Sequence, residues 1–222
     1  MSGAVPGSAD PVRPVPDPAV VTAFARLRAD ALSVLQGWVA PDAGQERLRR
    51  DYLDHLAAYP DAVAKAGPPA HLTASCVVLD PAGERVLLTL HRKANEWFQF
   101  GGHLELEDPS VWASARREGR EESGIGTLEP LPHPVQLDRH TLVGSFGACR
   151  EHLDVRFAAV APLGARAVVG AESHDVQWWP VDGLPGGTRA ELSTLVSAAR
   201  RALGHATGVD IVRDVDVDGG VG

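Results

Sequence analysis

The sequence predicts a mixed α/β protein of the α+β type, and two kinds of hydrophobic pattern indicate it. Segments with apolar residues at every third or fourth position predict helices over 18–37, 44–59, 109–123 and 189–204. Between them lie short apolar segments bounded by glycine, proline and aspartate, which are typical of β-strands. The chain has 222 residues, 44% of them hydrophobic, which is enough for one sizeable core and an extension.

Composition excludes several classes of function. The formal net charge of −8 argues against a broad surface for nucleic acid or for anionic membranes. A small anionic substrate remains compatible with this charge, because a bound metal ion reverses the local field. We find no apolar segment of membrane-spanning length and no export signal after Met1. The expectation is a cytoplasmic protein in which Cys76 and Cys149 are reduced, buried thiols.

The first 68 residues divide into a proline-rich arm and a helical extension. Residues 1–17 contain four prolines among small residues and no apolar period, which predicts a disordered arm. Two helices are expected over 18–68, the first with Asp17 as its N-cap and the second ending before Pro60. This helical pair is expected either to cap the main domain or to form the subunit contact of a homodimer.

Residues 69–207 form the predicted main domain, and residues 208–222 are predicted to be a flexible tail that stays disordered or adds an edge strand. The main domain contains six strand-like segments, which are 72–79, 85–91, 97–100, 135–146, 152–161 and 176–180.

The most informative segment runs from residue 101 to residue 125. It opens with the pair Gly101–Gly102 and continues into the predicted helix, for which Asp108 is a suitable N-cap and Gly124 a suitable left-handed C-terminal residue. Three carboxylates stand at i, i+3 and i+4 on one face of this helix, namely Glu118, Glu121 and Glu122. Crowded carboxylates repel one another unless a cation lies between them, and oxygen ligands suit Mg²⁺ or Mn²⁺.

This segment resembles the signature of Nudix hydrolases, G-x5-E-x7-R-E-U-x-E-E-x-G-U, in which U is an aliphatic residue. Arg117–Glu118 matches R-E, Glu121–Glu122 matches E-E, and Gly124–Ile125 matches the final G-U. The resemblance extends over roughly residues 70–185 and is specific over 101–125. It implies a MutT-like pyrophosphohydrolase in which a mixed sheet is sandwiched between helices.

Three positions depart from the signature. Pro109 occupies the position of the first glutamate and Asp108 is the nearest acid, so either one residue is inserted before the helix or that glutamate is absent. Glu107 stands where many members have glycine, and Gly119 replaces an aliphatic residue. A glycine within a helix costs about 1 kcal/mol relative to alanine. We expect Trp112 to fill part of the space that a larger side chain at position 119 would occupy.

The resemblance also implies a divalent-cation site for Mg²⁺ or Mn²⁺. Its implied ligands are Glu118, Glu121, Glu122 and the carbonyl of Gly102. Arg117 is implied to orient one of the glutamates through an ion pair. The catalytic base is not fixed by the signature, and Glu122 or Glu118 is preferred over Glu105 or a downstream acid.

Further side chains are candidates for contacting the substrate. The candidates for phosphate are Arg92, Lys93, His103 and Arg156, and the candidates for stacking on a base are Trp97 and Phe98. A solvated position explains each cation equally well, and a core position explains the aromatic residues. His140, His152 and His174 lack metal-ligand spacing and are interpreted as surface or structural residues.

Two functional hypotheses of different classes follow. The first is a Mg²⁺- or Mn²⁺-dependent hydrolase of a nucleoside diphosphate linked to another moiety, in which metal-activated water attacks phosphorus. The second is a Nudix-fold module that binds a nucleotide or regulates without turnover. An isoprenoid diphosphate isomerase on the same fold would need a catalytic cysteine, and neither Cys76 nor Cys149 has a suitable setting. The sequence does not identify the nucleotide, because residues that read a base lie on variable loops.

Overall fold

A computed structural model describes residues 17–142 and 149–204. Of the predicted arm only Asp17 is described, and the predicted tail lies outside the described residues. The elements in chain order are α1 (Pro18–Gly37), α2 (Ala43–Ala58), β1 (Ala70–Leu79), β2 (Arg85–His91), β3 (Trp97–Phe98), β4 (Phe100–His103), α3 (Val111–Ser123), β5 (Gln136–Thr141), β6 (Glu151–Val160), β7 (Ser173–Pro180) and α4 (Ala190–Ala202). None of the described helices is both long and apolar enough to cross a membrane.

The described strands form one mixed sheet. Its order is β3-β2-β1-β6-β5, with β4 paired to β1 and β7 paired to β2. Strands β1 and β6 run parallel and pair from Ala70 with Glu151 to Leu79 with Val160. The other strand pairs are antiparallel. The predicted fold class, a mixed sheet with helices in an α+β protein, is confirmed.

Alternate residues of β1 face two different helical layers, as the period of a strand requires. Leu72 and Ala74 lie in the core shared with α1, α2 and α3. Val77 and Leu79 point to the other side and pack with α4. On that second side the apolar core does not extend to the start of the strand, because Thr73 and Ser75 are buried and polar.

Helices α1 and α2 cover the sheet rather than standing apart from it. Leu27, Leu35 and Leu56 are fully buried in the same core as Leu72. The Tyr52 hydroxyl also donates a hydrogen bond of 2.6 Å to the carbonyl of Asp138 in β5. The extension therefore caps the main domain, which is the first of the two expected arrangements, while a homodimer remains a prediction.

Helix α3 begins two residues later than the sequence predicts. Its first residue is Val111, and its N-cap is Ser110 rather than Asp108. The carboxylate of Asp108 is engaged elsewhere, because it accepts hydrogen bonds from the backbone N–H of Glu105 and from the side chain of Arg117. The predicted helix boundary is therefore wrong, since Asp108 has stronger partners than the end of a helix.

Gly119 lies where α3 packs closely on the sheet. A Cβ atom there would lie 3.1 Å from Cδ2 of Leu128 and 3.3 Å from Cβ of Cys76, so these side chains would have to shift by a few tenths of an ångström. The expectation that Trp112 fills this space is wrong, because the nearest atoms belong to Leu128 and Cys76, and the indole Nε1 of Trp112 donates to the carbonyl of Leu131, 3.1 Å away. The helix ends as predicted at Gly124, whose φ of 72° is left-handed.

Candidate active site

The three glutamates of α3 line one open cavity. Glu118, Glu121 and Glu122 form one side of this cavity of about 560 Å³, and residues of β4, including Gly101 and Gly102, form another. Glu118 and Glu122 are largely buried, whereas the side chain of Glu121 is 63% exposed. The cavity thus brings the carboxylates together with the glycine pair, which precedes Glu118 by 16 positions at its nearer member, Gly102.

The glycine pair allows the backbone of β4 to lie directly against two of the carboxylates. The N–H of Gly101 donates a hydrogen bond of 2.9 Å to Oε2 of Glu122. A Cβ atom on Gly102 would lie only 2.5 Å from Oε1 of Glu118. Neither glycine has a positive φ, so the need for glycine here comes from close approach and not from backbone conformation.

Arg117 organises the loop before the helix and one of the carboxylates. Its Nε and Nη2 donate to the two oxygens of Asp108 at 3.0 and 2.9 Å, a bidentate pair. Its Nη1 donates to Oε1 of Glu118 at 2.9 Å, and its Nη2 also reaches the carbonyl of His103 at 3.1 Å. The signature arginine is thus paired with Asp108, which favours the inserted-residue alternative.

Burial opposes the ionisation of Asp108, but the pKa of this carboxyl is nevertheless lowered. The hydrogen bonds from the Arg117 guanidinium and from the Glu105 backbone outweigh the cost of burial. The same guanidinium is itself buried and keeps its charge through Asp108 and Glu118. Asp108 and Arg117 are thus both charged, and their ion pair holds the loop before α3 against the helix.

The pKa values of Glu118 and Glu122 are raised, unlike that of Asp108, because the cations among the described residues do not balance these two carboxylates fully. Burial raises the pKa of Glu118 to about 7, although Arg117 opposes the shift. Burial also raises the pKa of Glu122 to about 8, against the hydrogen bond from Gly101 and with a further contribution from the charge of Glu118. A divalent cation would remove this electrostatic cost, and carboxylate oxygens are the donors that Mg²⁺ and Mn²⁺ prefer. The residues present therefore fit such an ion.

The candidate phosphate contacts separate into two groups. Lys93 and His103 line the cavity of the glutamates, as does Glu105, the alternative base. Arg92 is placed differently, because its Nε donates to the carbonyl of Ser173 at 3.0 Å. The structure thus places two of the four candidate phosphate contacts in the cavity of the carboxylates.

Arg156 and Trp97 lie away from the cavity. Arg156 is 3% exposed, and its guanidinium donates to Asp154 at 3.0 Å and to Asp138 at 2.8 Å. Trp97 packs edge-on against Trp179 with ring centroids 5.3 Å apart, next to α4. The charge of Arg156 is therefore already balanced within the fold, and Trp97 has the core contacts of a structural side chain.

Two residues that the sequence analysis does not select as site residues also line the cavity. Lys65 follows α2, and no local motif marks it. His152 lies in β6 and also lines the cavity. In the sequence analysis the histidines are compared only with one another, and Cys149, which lies three residues before His152, is left out. The two cysteines are free and buried, as predicted.

Alanine substitutions at the two glycines are expected to affect different properties, stability at Gly101 and metal affinity at Gly102. In Gly101→Ala the new Cβ would meet the Ser75 Cα at 2.8 Å and the Ala74 carbonyl at 2.9 Å, which are backbone atoms that cannot yield. We expect the free energy of unfolding to fall by about 2 kcal/mol or more. In Gly102→Ala the new Cβ meets only the end of the Glu118 side chain, so stability should be retained while Mn²⁺ affinity falls.

Chemical denaturation and calorimetric Mn²⁺ titration of the two variants measure these effects side by side. Equal losses of stability in both variants would show that the Glu118 side chain cannot move away from position 102.

Solved structures of several proteins are similar to this chain. A hydrolase of the NUDIX family from Clostridium perfringens is 24% identical, with a TM-score of 0.44 and coverage of 60% of this chain and 96% of that chain. An Ap4A hydrolase from C. elegans, in a binary complex, is 17% identical, with a TM-score of 0.47 and coverage of 60% and 97%. A MutT protein from Methanosarcina mazei Go1 is 19% identical, with a TM-score of 0.48 and coverage of 61% and 96%.

No curated protein matches the sequence significantly. The family model of the NUDIX domain, in contrast, matches residues 69–191. This match spans more than half of the 222 residues and contains the glycine pair, the three glutamates and the Asp108–Arg117 ion pair. The chain therefore belongs to the Nudix hydrolase family.

Proposed function

We propose that this protein is a pyrophosphohydrolase that uses Mg²⁺ or Mn²⁺ to cleave a nucleoside diphosphate linked to another moiety. The observation that carries the proposal is the pair Glu118 and Glu122, two buried carboxylates held side by side in an open cavity. Burying two neighbouring carboxylates destabilises a fold unless a cation compensates for it. A cavity open to solvent at that place suggests that the site serves a substrate.

The proposed metal ligands are Glu118, Glu121 and Glu122, with the carbonyl of Gly102 joining them. When bound, the ion supplies a water of lowered pKa and neutralises charge on a diphosphate. The chain itself orients these ligands. Arg117 holds Oε1 of Glu118, and the N–H of Gly101 holds Oε2 of Glu122. Such fixed geometry lowers the cost of positioning at the moment of reaction.

The proposed proton acceptor is Glu122 or Glu118. Both carboxylates have a raised pKa in the metal-free site, and a general base works best when its pKa lies near the operating pH. Glu105 remains the alternative, and its carboxylate lies 3.7 Å from Arg117 at the exposed edge of the cavity.

We propose that Lys93, together with Lys65, attracts the phosphates of the substrate. Both line the same cavity as the three glutamates, where a cation would offset the negative charge of a diphosphate. A cytoplasmic location, a homodimer and the lack of nucleic-acid or membrane partners remain predictions from the sequence. So does the division of the chain at residues 17, 68 and 207.

The test is a substrate panel with Mg²⁺ or Mn²⁺. The panel contains nucleoside triphosphates, nucleotide sugars, dinucleoside polyphosphates and a coenzyme diphosphate, and the released phosphate or pyrophosphate is measured. We expect turnover of at least one class, abolished by a chelator. Binding of a nucleotide without turnover of any compound would contradict the proposal and favour the non-catalytic module.

The raised pKa values predict how metal-free stability depends on pH. Because Glu118 and Glu122 have pKa values of about 7 and about 8, against an ordinary value of 4.5, the folded protein binds more protons than the unfolded chain in this range. This contribution is full below the unfolded pKa and is lost as the pH rises through the folded pKa. We therefore expect the Tm of metal-free protein to fall as the pH rises from about 5 to about 8, and to level off above that.

Calorimetry with chelator and with Mn²⁺ measures this slope, and its part between about pH 7 and pH 8 lies above the ordinary pKa of histidine. Mn²⁺ should raise the Tm most at the upper end of the range, and Glu122→Gln should flatten the metal-free slope. An equal slope in Glu122→Gln would mean that other groups cause it.

A further inference from the structure

Three histidines and one cysteine converge beside the glutamate cavity. They are His71, His103, Cys149 and His152, and their nearest nitrogen and sulfur atoms all lie within 4.8 Å of one another. Nε2 of His71 is 3.1 Å from Nε2 of His103 and 3.6 Å from Sγ of Cys149. Sγ of Cys149 is 4.0 Å from Nε2 of His103. Four side chains thus direct one potential ligand atom each toward a common point.

The sheet register explains why these residues meet. His71 of β1 pairs with His152 of the parallel strand β6. His103 of β4 pairs with Thr73, two residues along β1 on the same face as His71. Cys149 precedes β6 and reaches the cluster through the C-x-x-H spacing to His152. The cluster therefore joins three neighbouring strands and the segment before one of them.

Hydrogen bonding prepares His71 as a metal ligand. Its Nδ1 lies 3.0 Å from the carbonyl of Pro68, and a carbonyl can only accept, so Nδ1 carries the proton. In the neutral ring Nε2 is then unprotonated, with its lone pair directed at His103 and Cys149. A second hydrogen bond that fixes the tautomer in this way is typical of histidines that bind metals.

His152 has a buried nitrogen that the described residues leave without a partner. Its Nε2 atom is buried and makes no hydrogen bond within residues 17–142 and 149–204. A hydrogen bond between His71 and His103 could account for that pair, but it would leave His152 unsatisfied.

We propose that His71, His103, Cys149 and His152 form a Zn²⁺ site, separate from the carboxylate site of α3. Tetrahedral zinc has bonds of about 2.1 Å to nitrogen and about 2.3 Å to sulfur, which places neighbouring ligand atoms roughly 3.3 to 3.6 Å apart. The distances of 3.1 and 3.6 Å are close to these values. The pair at 4.0 Å and the other pairs, all within 4.8 Å, need contractions of up to about 1.4 Å on metal binding. Imidazole and thiolate favour zinc over Mg²⁺, whereas the glutamates have the opposite preference.

A site with four protein ligands is closed and structural rather than catalytic. It ties the end of β4, directly after Gly101–Gly102, to β1 and β6. It would thereby fix the strand whose backbone lies against Glu118 and Glu122. The zinc site does not depend on the proposed hydrolysis, because its binding can be measured without any substrate.

Metal content tests this inference directly. The full chain is purified from cells grown with zinc, dialysed against excess Mg²⁺, and analysed by mass spectrometry for zinc per chain. We expect one zinc per chain that Mg²⁺ does not displace. Replacement by Co²⁺ should give the intense absorption of tetrahedral cobalt together with a thiolate-to-cobalt charge-transfer band.

Variants assign the ligands. Cys149→Ser should lose the charge-transfer band, and Cys149→Ser and His152→Ala should each reduce zinc affinity by more than about 100-fold. His174→Ala, at an exposed histidine, and Glu122→Gln, at the carboxylate site, should both retain zinc. If wild type binds no zinc and shows no charge-transfer band with Co²⁺, the inference is overturned. Retention of zinc by both ligand variants, or its loss in Glu122→Gln, would also overturn it.

Discussion

Replacing Glu122 with glutamine is expected to reduce kcat by at least about 10³-fold while the protein remains folded. Glutamine keeps the shape of the side chain and can still accept the hydrogen bond from the N–H of Gly101. It removes the charge that would hold a divalent cation and that would accept a proton. The assay is turnover of the substrate found in the panel, with calorimetric Mn²⁺ titration as a second measurement.

Stability should move in the opposite direction to activity. Because burial and the neighbouring charge of Glu118 raise the pKa of Glu122, the metal-free wild type carries an electrostatic cost that glutamine removes. We expect the metal-free variant to unfold at the same temperature as wild type or at a higher one. A gain in stability with a loss of activity is characteristic of a functional residue and not of a structural one.

Glu129→Gln is the matched control for Glu122→Gln. Glu129 is also a glutamate near α3, but its side chain is 55% exposed and pairs with Arg116 and Arg120 outside the cavity. Its substitution should leave kcat within about twofold of wild type, as expected for a surface pair. If Glu129→Gln reduces kcat as much as Glu122→Gln does, the catalytic assignment of Glu122 fails. Full activity of Glu122→Gln would lead to the same conclusion.

The sequence predicts those parts of the fold and site that depend on local spacing. The face shared by the glutamates follows from helical periodicity alone, and the C-terminal end of α3 follows from Gly124. The start of α3 is different, because Ser110 and Asp108 are both suitable N-caps. Their roles are decided by Arg117, which lies within α3, nine residues after Asp108, and binds the Asp108 carboxylate.

Contacts across the sheet could not be predicted from local spacing. In the sequence Arg156 is a candidate phosphate-binding cation, but Asp138 in the neighbouring strand β5 and Asp154 in its own strand neutralise it. His71, His103 and His152 come together only through the register of β1 with β4 and β6. Such register depends on the whole sheet, so widely separated histidines give no signal until the strands are paired.

The second large effect is expected at the ion pair of Asp108 and Arg117. Asp108→Ala should lower the free energy of unfolding by about 3–5 kcal/mol, because it leaves a largely buried guanidinium without its bidentate partner. The side chains of Asp108 and Arg117 are 5% and 19% exposed, so solvent cannot replace the lost contact effectively. The variant also loses the hydrogen bond to the Glu105 backbone. Chemical denaturation measures the change.

A double-mutant cycle separates the pair from its surroundings. If Asp108 supplies the acid of the signature from its shifted position, Asp108→Ala and Arg117→Ala should show a coupling energy of about 2 kcal/mol or more. Arg117→Lys should restore little of it, since an ammonium cannot make the bidentate contact. Glu107→Ala, at the exposed acid beside Asp108, should change stability by less than about 0.5 kcal/mol. If Asp108→Ala were as mild as Glu107→Ala, the first signature acid would be absent from this chain. The partners of Arg117 that matter would then be the remaining ones, which are Glu105, Glu118 and Glu121 in the carboxylate site and the carbonyl of His103.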